Sequence, residues 1–164
     1  MNATHIVYES NTGFTARYAA MLSQKLGIPA APLAQALKSL PAGTPVIHMG
    51  WLMASSVAGY KKAAKRFAIA AVIGVGLGDT GAQDDAVHKA CKSPADFPVF
   101  TLQGGMDRTK LQGGYKVGID ILTKVMSAKK NRTPGEDRMV ELLIRGGDYV
   151  SEKELSAVLA WAAE

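Results

Sequence analysis

Apolar runs rich in β-branched or aromatic residues recur along the chain, at Thr4–Glu9, Thr44–Gly50, Ala68–Leu77 and Phe97–Gln103. They are continuously apolar rather than alternating, the pattern of strands covered on both faces. A weaker run at Ile28–Leu33 contains Pro29 and Pro32. Proline cannot donate to a ladder, so this run suits only a short edge strand. Between the runs, Gly13–Leu26, Leu33–Leu40, Ser56–Phe67 and Ala82–Lys92 carry apolar positions at helical spacing. Strands alternating with helices of this length predict a parallel sheet joined by right-handed crossovers. After Gln103 the pattern becomes helical alone, over residues 114–129, 135–144 and 151–163. Ser151 followed by Glu154 predicts a capping box at the last of these. The charged stretch between Ser127 and Asp137 reads as a surface connection, so a single domain over 1–164 is expected. The predicted class is α/β: a doubly wound sheet of about five strands with additional C-terminal helices.

Composition narrows the partners. Of 164 residues, 48% are hydrophobic and 20% charged, an ordinary globular balance. The first residues, Met1 to Ser10, show no basic segment followed by a long apolar one, and no signal peptide is read there. No run approaches the roughly 18 apolar residues of a membrane span. A lone cysteine, Cys91, fits a reducing cytoplasm and, with no histidine in a suggestive local motif, a small buried hydrophobe. The net charge of +5 favours an acidic partner protein, a nucleic acid or a membrane surface. The densest cationic cluster is Lys61, Lys62, Lys65 and Arg66, with the spacing of a solvated helix face. No aromatic platform or nucleic-acid motif accompanies it, so nucleic-acid binding is not expected, whereas peripheral membrane contact is open. His5, His48 and His88 lack metal-ligand spacing, and no metal is expected. Met106, Met126 and Met139 read as packing residues.

Ligands of doubly wound sheets sit beyond the carboxyl ends of the strands. Three loops there carry chemistry. The first is Ser10-Asn11-Thr12-Gly13-Phe14-Thr15, between a strand and a helix. Its hydroxyls and amide, with one glycine and the free N–H groups of the helix start, form a neutral nest suited to a single phosphate. The loop holds no lysine or arginine, which excludes a triphosphate loop. Read alone, it is equally a helix cap. The second loop, Gly50-Trp51-Leu52-Met53-Ala54, sets a tryptophan where solvent is normally met. Trp51 there is either a lid over apolar neighbours or a stacking surface for a flat ring. In the third, Gly76-Leu77-Gly78-Asp79-Thr80-Gly81 satisfies the dinucleotide fingerprint. The next strand ends in Gln103-Gly104-Gly105 without the acid that would hold a ribose, and dinucleotide binding is not expected.

Together these loops carry a resemblance to the flavodoxin family. Ser10 to Thr15 matches its phosphate loop, Ser/Thr-x-Thr-Gly-x-Thr, at every defined position; Trp51 lies where that family commonly stacks a tryptophan on FMN; Gly76-Leu77-Gly78-Asp79 is similar to the start of its second flavin loop. The tail, from "GGMDRTKL" at 104–111 to "NRTPGEDRMVELLIRGGDYVSEKELSAVLAW" at 131–161, resembles small bacterial flavodoxin-domain proteins related to menaquinone-dependent protoporphyrinogen oxidase. The resemblance implies strand order 2-1-3-4-5 and non-covalently bound FMN used for electron transfer. It implies a phosphate held by Ser10 to Thr15, and the flavin ring lying on Trp51 with Leu52 and Met53 as its apolar bed. Backbone groups of 50–54 and of Gly78, Asp79, Thr80, Gly81, Ala82 and Gln83 would line the ring edge. Asp79 either lowers the flavin potential or caps the following helix. No catalytic side chain is implied. Partners would be a redox protein, a quinone or a porphyrin, and the alternatives are a quinone-dependent protoporphyrinogen oxidase-like enzyme or a flavodoxin-fold binding module without redox turnover. Two departures stand out: Ala82 occupies the place of the usual outer-face tyrosine, and the chain is basic where flavodoxins are usually acidic.

Overall fold

Three of the four long apolar runs form the middle of a sheet covered by helices, and the fourth, at Phe97–Gln103, forms one of its edges. The computed structural model describes residues 1–91 and 97–164. Its strands are β1 (His5–Glu9), β2 (Ala30–Pro32), β3 (Pro45–Met53), β4 (Ser56–Val57), β5 (Ala68–Gly76) and β6 (Val99–Gln103). In space they run β2-β1-β3-β5-β6, all parallel, while β4 folds back antiparallel on β3. The sheet is therefore mostly parallel and six-stranded, compatible with the expected doubly wound arrangement; the sixth strand was not foreseen.

The helices of the sheet are α1 (Phe14–Leu26), α2 (Leu33–Ser39), α3 (Tyr60–Arg66) and α4 (Asp84–Cys91). Downstream lie α5 (Gly113–Ala128), α6 (Pro134–Arg145) and α7 (Ser156–Ala162), with a two-residue ribbon of β7 (Gly105–Met106) and β8 (Gly147–Asp148). Alternation along the strands sorts the core into two faces. Ile6, Ile47, Met49 and Ile73 pack with Tyr18, Ala19 and Leu22 of α1 and with Val158 of α7. On the opposite face Val7 and Val46 pack with Leu33, Ala36 and Ala63 of α2 and α3, and Val72 packs with Val87 of α4. The last helix thus completes one face of the sheet, whereas α5 and α6 lie outside the layers.

Two expectations need correction. Residues 56–67 are not one helix: Met53 and Leu52 pair with Ser56 and Val57, and the helix starts only after Gly59, whose φ of 78° breaks the strand direction. Ser151 makes no side-chain capping bond; it precedes a short 3-10 turn over Glu152–Leu155. The capping box belongs instead to α6, where Thr133 Oγ1 accepts from the Glu136 N–H at 3.2 Å and Glu136 accepts from the Thr133 N–H at 2.9 Å. Pro134 at the first helical position strengthens that start. The predicted helix over Ala82–Lys92 begins at Asp84, and its final residue, Lys92, lies outside the described residues.

Candidate functional site

The first loop sits at the carboxyl end of β1 and opens α1. Gly13 is the N-cap with φ 100°, a conformation other residues adopt only under strain, and it offers no side chain to cap the helix. The Ser10 hydroxyl accepts from the Ala16 N–H at 3.3 Å, and the Gly13 carbonyl takes the Arg17 N–H at 3.1 Å. The N–H groups of Phe14 and Thr15, in the first turn, have no intrahelical acceptor and point out from the positive end of the helix. Both readings of Ser10 therefore meet here: it caps one amide and leaves the nest around the others. Tyr18 locks α1 in place, its fully buried hydroxyl donating to the Gln103 carbonyl at 2.6 Å. Burial raises that phenol to about 12.

The second loop is the tip of a hairpin. Between β3 and β4, Ala54 and Ser55 have φ of 46° and 63°. Positive φ at both central residues is the demand of the primed hairpin turn, normally met by Asn-Gly. Neither residue is glycine, so the tip holds strain beside the first and third loops. Gly50 contributes by its missing side chain: a Cβ there would stand 2.3 Å from the Ala58 carbonyl oxygen. It permits the hairpin to close and does not line the cleft.

The third loop is fastened to β6. The Gly81 N–H donates to the Thr101 carbonyl at 2.9 Å, and Asp84 accepts from both the N–H and hydroxyl of Thr101 at 2.7 Å. Thr80 donates to Glu154 and accepts from the Gln103 N–H at 2.9 Å. Asp79 forms a two-pronged ion pair with Arg138 of α6. That pair neutralises its charge and leaves it neither a helix cap nor an unpaired acid beside the cleft. Gly78, Gly81 and Ala82 likewise do not line the cleft, and Gln83 alone of this loop's predicted residues does, beside Gly76 and Leu77.

These loops surround one cleft of about 430 Å³, within the ~300–1,000 Å³ of sites that enclose a cofactor-sized ligand. Ser10, Asn11, Thr12, Phe14 and Thr15 line one end, and Trp51, Leu52, Met53 and Ala54 line the wall. Ten of the seventeen predicted site residues meet there, counting Gln83; Gly13, Gly50 and the remainder of the third loop support them from outside.

Besides Ser55, Val75, Gly76 and Leu77, the remaining lining comes from residues 105–139, none of them among the predicted site residues. Gly105, Met106, Leu111, Tyr115, Gly118, Ile119, Leu122 and Met139 close the cleft as a roof. Tyr115 stands edge-on to Trp51, ring centroids 5.0 Å apart and planes at 76°. An aromatic residue is thus supplied from α5, where the family resemblance would have sought one near Ala82. Met106 packs with Leu111 and Leu143, joined by Leu77, Ile119, Met126 and Met139. Arg108 clamps the roof, donating to Asp120 of α5 at 2.7 Å and to the Leu143 carbonyl of α6 at 2.6 Å. The available signals were the position of the loop 103–109 at the carboxyl end of a strand and the helical periodicity of 114–129, with Tyr115 at its start.

Other reactive types stand apart. Among the described residues no cluster of three His, Cys, Asp or Glu could hold a metal. His48 is buried in β3, its Nε2 donating to the Ala58 carbonyl at 2.9 Å. Burial pushes the Cys91 thiol up, away from the reactive thiolate. The arrangement can hold a flat apolar body against Trp51 with an anionic end at the N-terminus of α1. No family model, curated protein or solved structure matches this chain.

Proposed function

We propose that the chain is an FMN-binding, flavodoxin-like redox protein that transfers electrons through non-covalently bound flavin. One observation carries the reading: the neutral N–H nest of Ser10 to Thr15 and the apolar wall around Trp51 open into the same cleft. A phosphate needs donors, and the first turn of α1 offers N–H groups without intrahelical acceptors. An isoalloxazine needs a flat apolar bed, and Trp51 with Leu52 supplies one, the Tyr115 ring standing across it. The residues therefore fit FMN.

Bound FMN supplies the one- and two-electron chemistry, and the chain supplies position, dielectric and access. The N–H groups of Phe14 and Thr15, with the hydroxyls of Ser10, Thr12 and Thr15, would hold the phosphate. Trp51 would fix the ring plane. The roof from α5 and α6 limits water, so polar contacts inside count for more than in solvent. Because Asp79 is paired with Arg138, the apolar walls and backbone dipoles, rather than an unpaired acid in that loop, would tune a bound flavin.

A second reading, a quinone-dependent oxidase of the protoporphyrinogen type, is favoured by a neighbouring depression of about 640 Å³. It shares Trp51, Met53 and Tyr115 with the cleft and adds Lys61 and Lys62. Those lysines would suit an acidic substrate beside the flavin. The experiment is a flavin-fluorescence titration of the purified chain with FMN and with riboflavin. FMN is expected to bind at least about tenfold more tightly than riboflavin, since hydrogen bonds to a charged group contribute ~1.5–3 kcal/mol each. Absence of quenching by the native chain rules out the flavin reading and leaves a binding module. With FMN bound, turnover of protoporphyrinogen with menaquinone as acceptor separates enzyme from carrier.

A further inference from the structure

The roof helix has a second face. Ile119, Thr123 and Met126 of α5 turn toward the protein, while Val117, Ile121 and Val125, spaced four apart, form a stripe on the opposite side with exposures of 58%, 58% and 63%. Of the nine large hydrophobics exposed among the described residues, five lie on this one helix, too concentrated for the scatter of a normal surface. The helix buries no residue fully. It also carries Gly113, Gly114 and Gly118 and five β-branched residues, weak helix formers that gain little from water.

Its charges say what covers it. Lys116, Lys124 and Lys130 are exposed and have no ion-pair partner among the described residues, while the helix's one acid, Asp120, is engaged by Arg108. A second copy laid against the stripe would bring like charges together on a chain already at +5. An anionic surface would attract them. An apolar stripe bordered by lysines is the design of a helix that lies in the headgroup layer of a bilayer.

We infer that the outer face of α5, through Val117, Ile121 and Val125 with Lys116 and Lys124 of the helix and Lys130 just past its end, docks this protein peripherally on anionic membrane. The site is separate from the cationic cluster of α3, and its occupancy does not depend on what the cleft holds. Gly118, Ile119 and Leu122 of the same helix line the cleft, so docking brings its roof to the lipid surface.

Vesicle flotation tests this, with phosphatidylcholine alone and with added phosphatidylglycerol, at low and high salt. The native chain is expected to float with the anionic vesicles, with partitioning that weakens at high salt. Val117→Ser/Ile121→Ser/Val125→Ser should reduce partitioning at least ~tenfold on both compositions. Lys116→Gln/Lys124→Gln/Lys130→Gln should remove only the preference for anionic lipid, and it keeps the test alive should the serine variant fold poorly. Failure of the native chain to float overturns the inference. So does a serine variant, folded by circular dichroism, that floats as well as the native chain. A solution dimer that the serine substitutions dissociate, with vesicle binding unchanged, overturns it in favour of a second copy.

Discussion

His48 shows how one side chain couples the fold to pH. It is fully buried at the centre of β3, and its Nδ1 has no hydrogen-bond partner among the described residues. Burial lowers its pKa from 6.5 to about 4, against the opposing pull of the Ala58 carbonyl. The native state therefore holds the neutral imidazole, and the unfolded chain takes up the proton first as pH falls. Stability from this group is complete above pH 6.5 and declines by up to roughly 3 kcal/mol as pH approaches 4. Urea unfolding at stepped pH should record that loss, and His48→Leu should show a shallower dependence; identical slopes would refute the account. Gly50 makes a second prediction at this scale. Gly50→Ala places a methyl against backbone at 2.3 Å, and the hairpin must shift. A destabilisation of about 1–3 kcal/mol is expected from the denaturation midpoint. Neither residue's role was legible in the sequence: His48 stood in an apolar run without its neighbours, and Gly50 looked like part of a ligand loop.

At the scale of elements, local signals and tertiary pairing divide the outcome. Helix α6 has its capping box and its N-terminal proline written in Thr133-Pro134-Gly135-Glu136. Thr133→Ala removes one partner of the reciprocal pair and should cost about 1 kcal/mol, a fall in Tm of roughly 2–4 °C for a chain of this size. The same motif at Ser151 forms no box, because residues 152–155 tighten into a 3-10 turn that delivers Leu155 into the core with no exposed surface. The hairpin tip reverses the relation. Its turn type is demanded by the pairing of β3 with β4, against the preferences of Ala54 and Ser55. Ala54→Asn/Ser55→Gly supplies the residues that tolerate positive φ and should raise stability by about 1 kcal/mol. An unchanged or lower midpoint would show that the tip is not strained.

Across the whole molecule, stability and access are unevenly spread. The sheet is sealed by α1 and α7 on one face and by α2, α3 and α4 on the other. The roof is attached by a smaller apolar cluster, by Arg108, and by the exposed Asp79–Arg138 pair, which solvent screens. Amides of α5 should therefore exchange hydrogen through local opening, well before those of α1 or β3. Added FMN should slow exchange in α5, since Tyr115, Ile119 and Leu122 line the cleft. Exchange that is slow without ligand, or unmoved by FMN at saturating binding, contradicts a separable roof.

The chain's own order of residues determined the alternation of strands and helices, the parallel middle of the sheet, and the three loops at its carboxyl edge. Those are local: apolar runs, helical spacing, and glycines with hydroxyls at a strand end act within a few residues. Only the tertiary structure decided that Asp79 is spent on Arg138, and that α5 and α6 return over the first loop to roof the cleft. Such contacts join residues some sixty to over a hundred positions apart, as in the Asp79–Arg138 and Arg17–Asp148 pairs. Their choice depends on which surfaces remain unburied once the sheet has formed, and no window of sequence contains both partners.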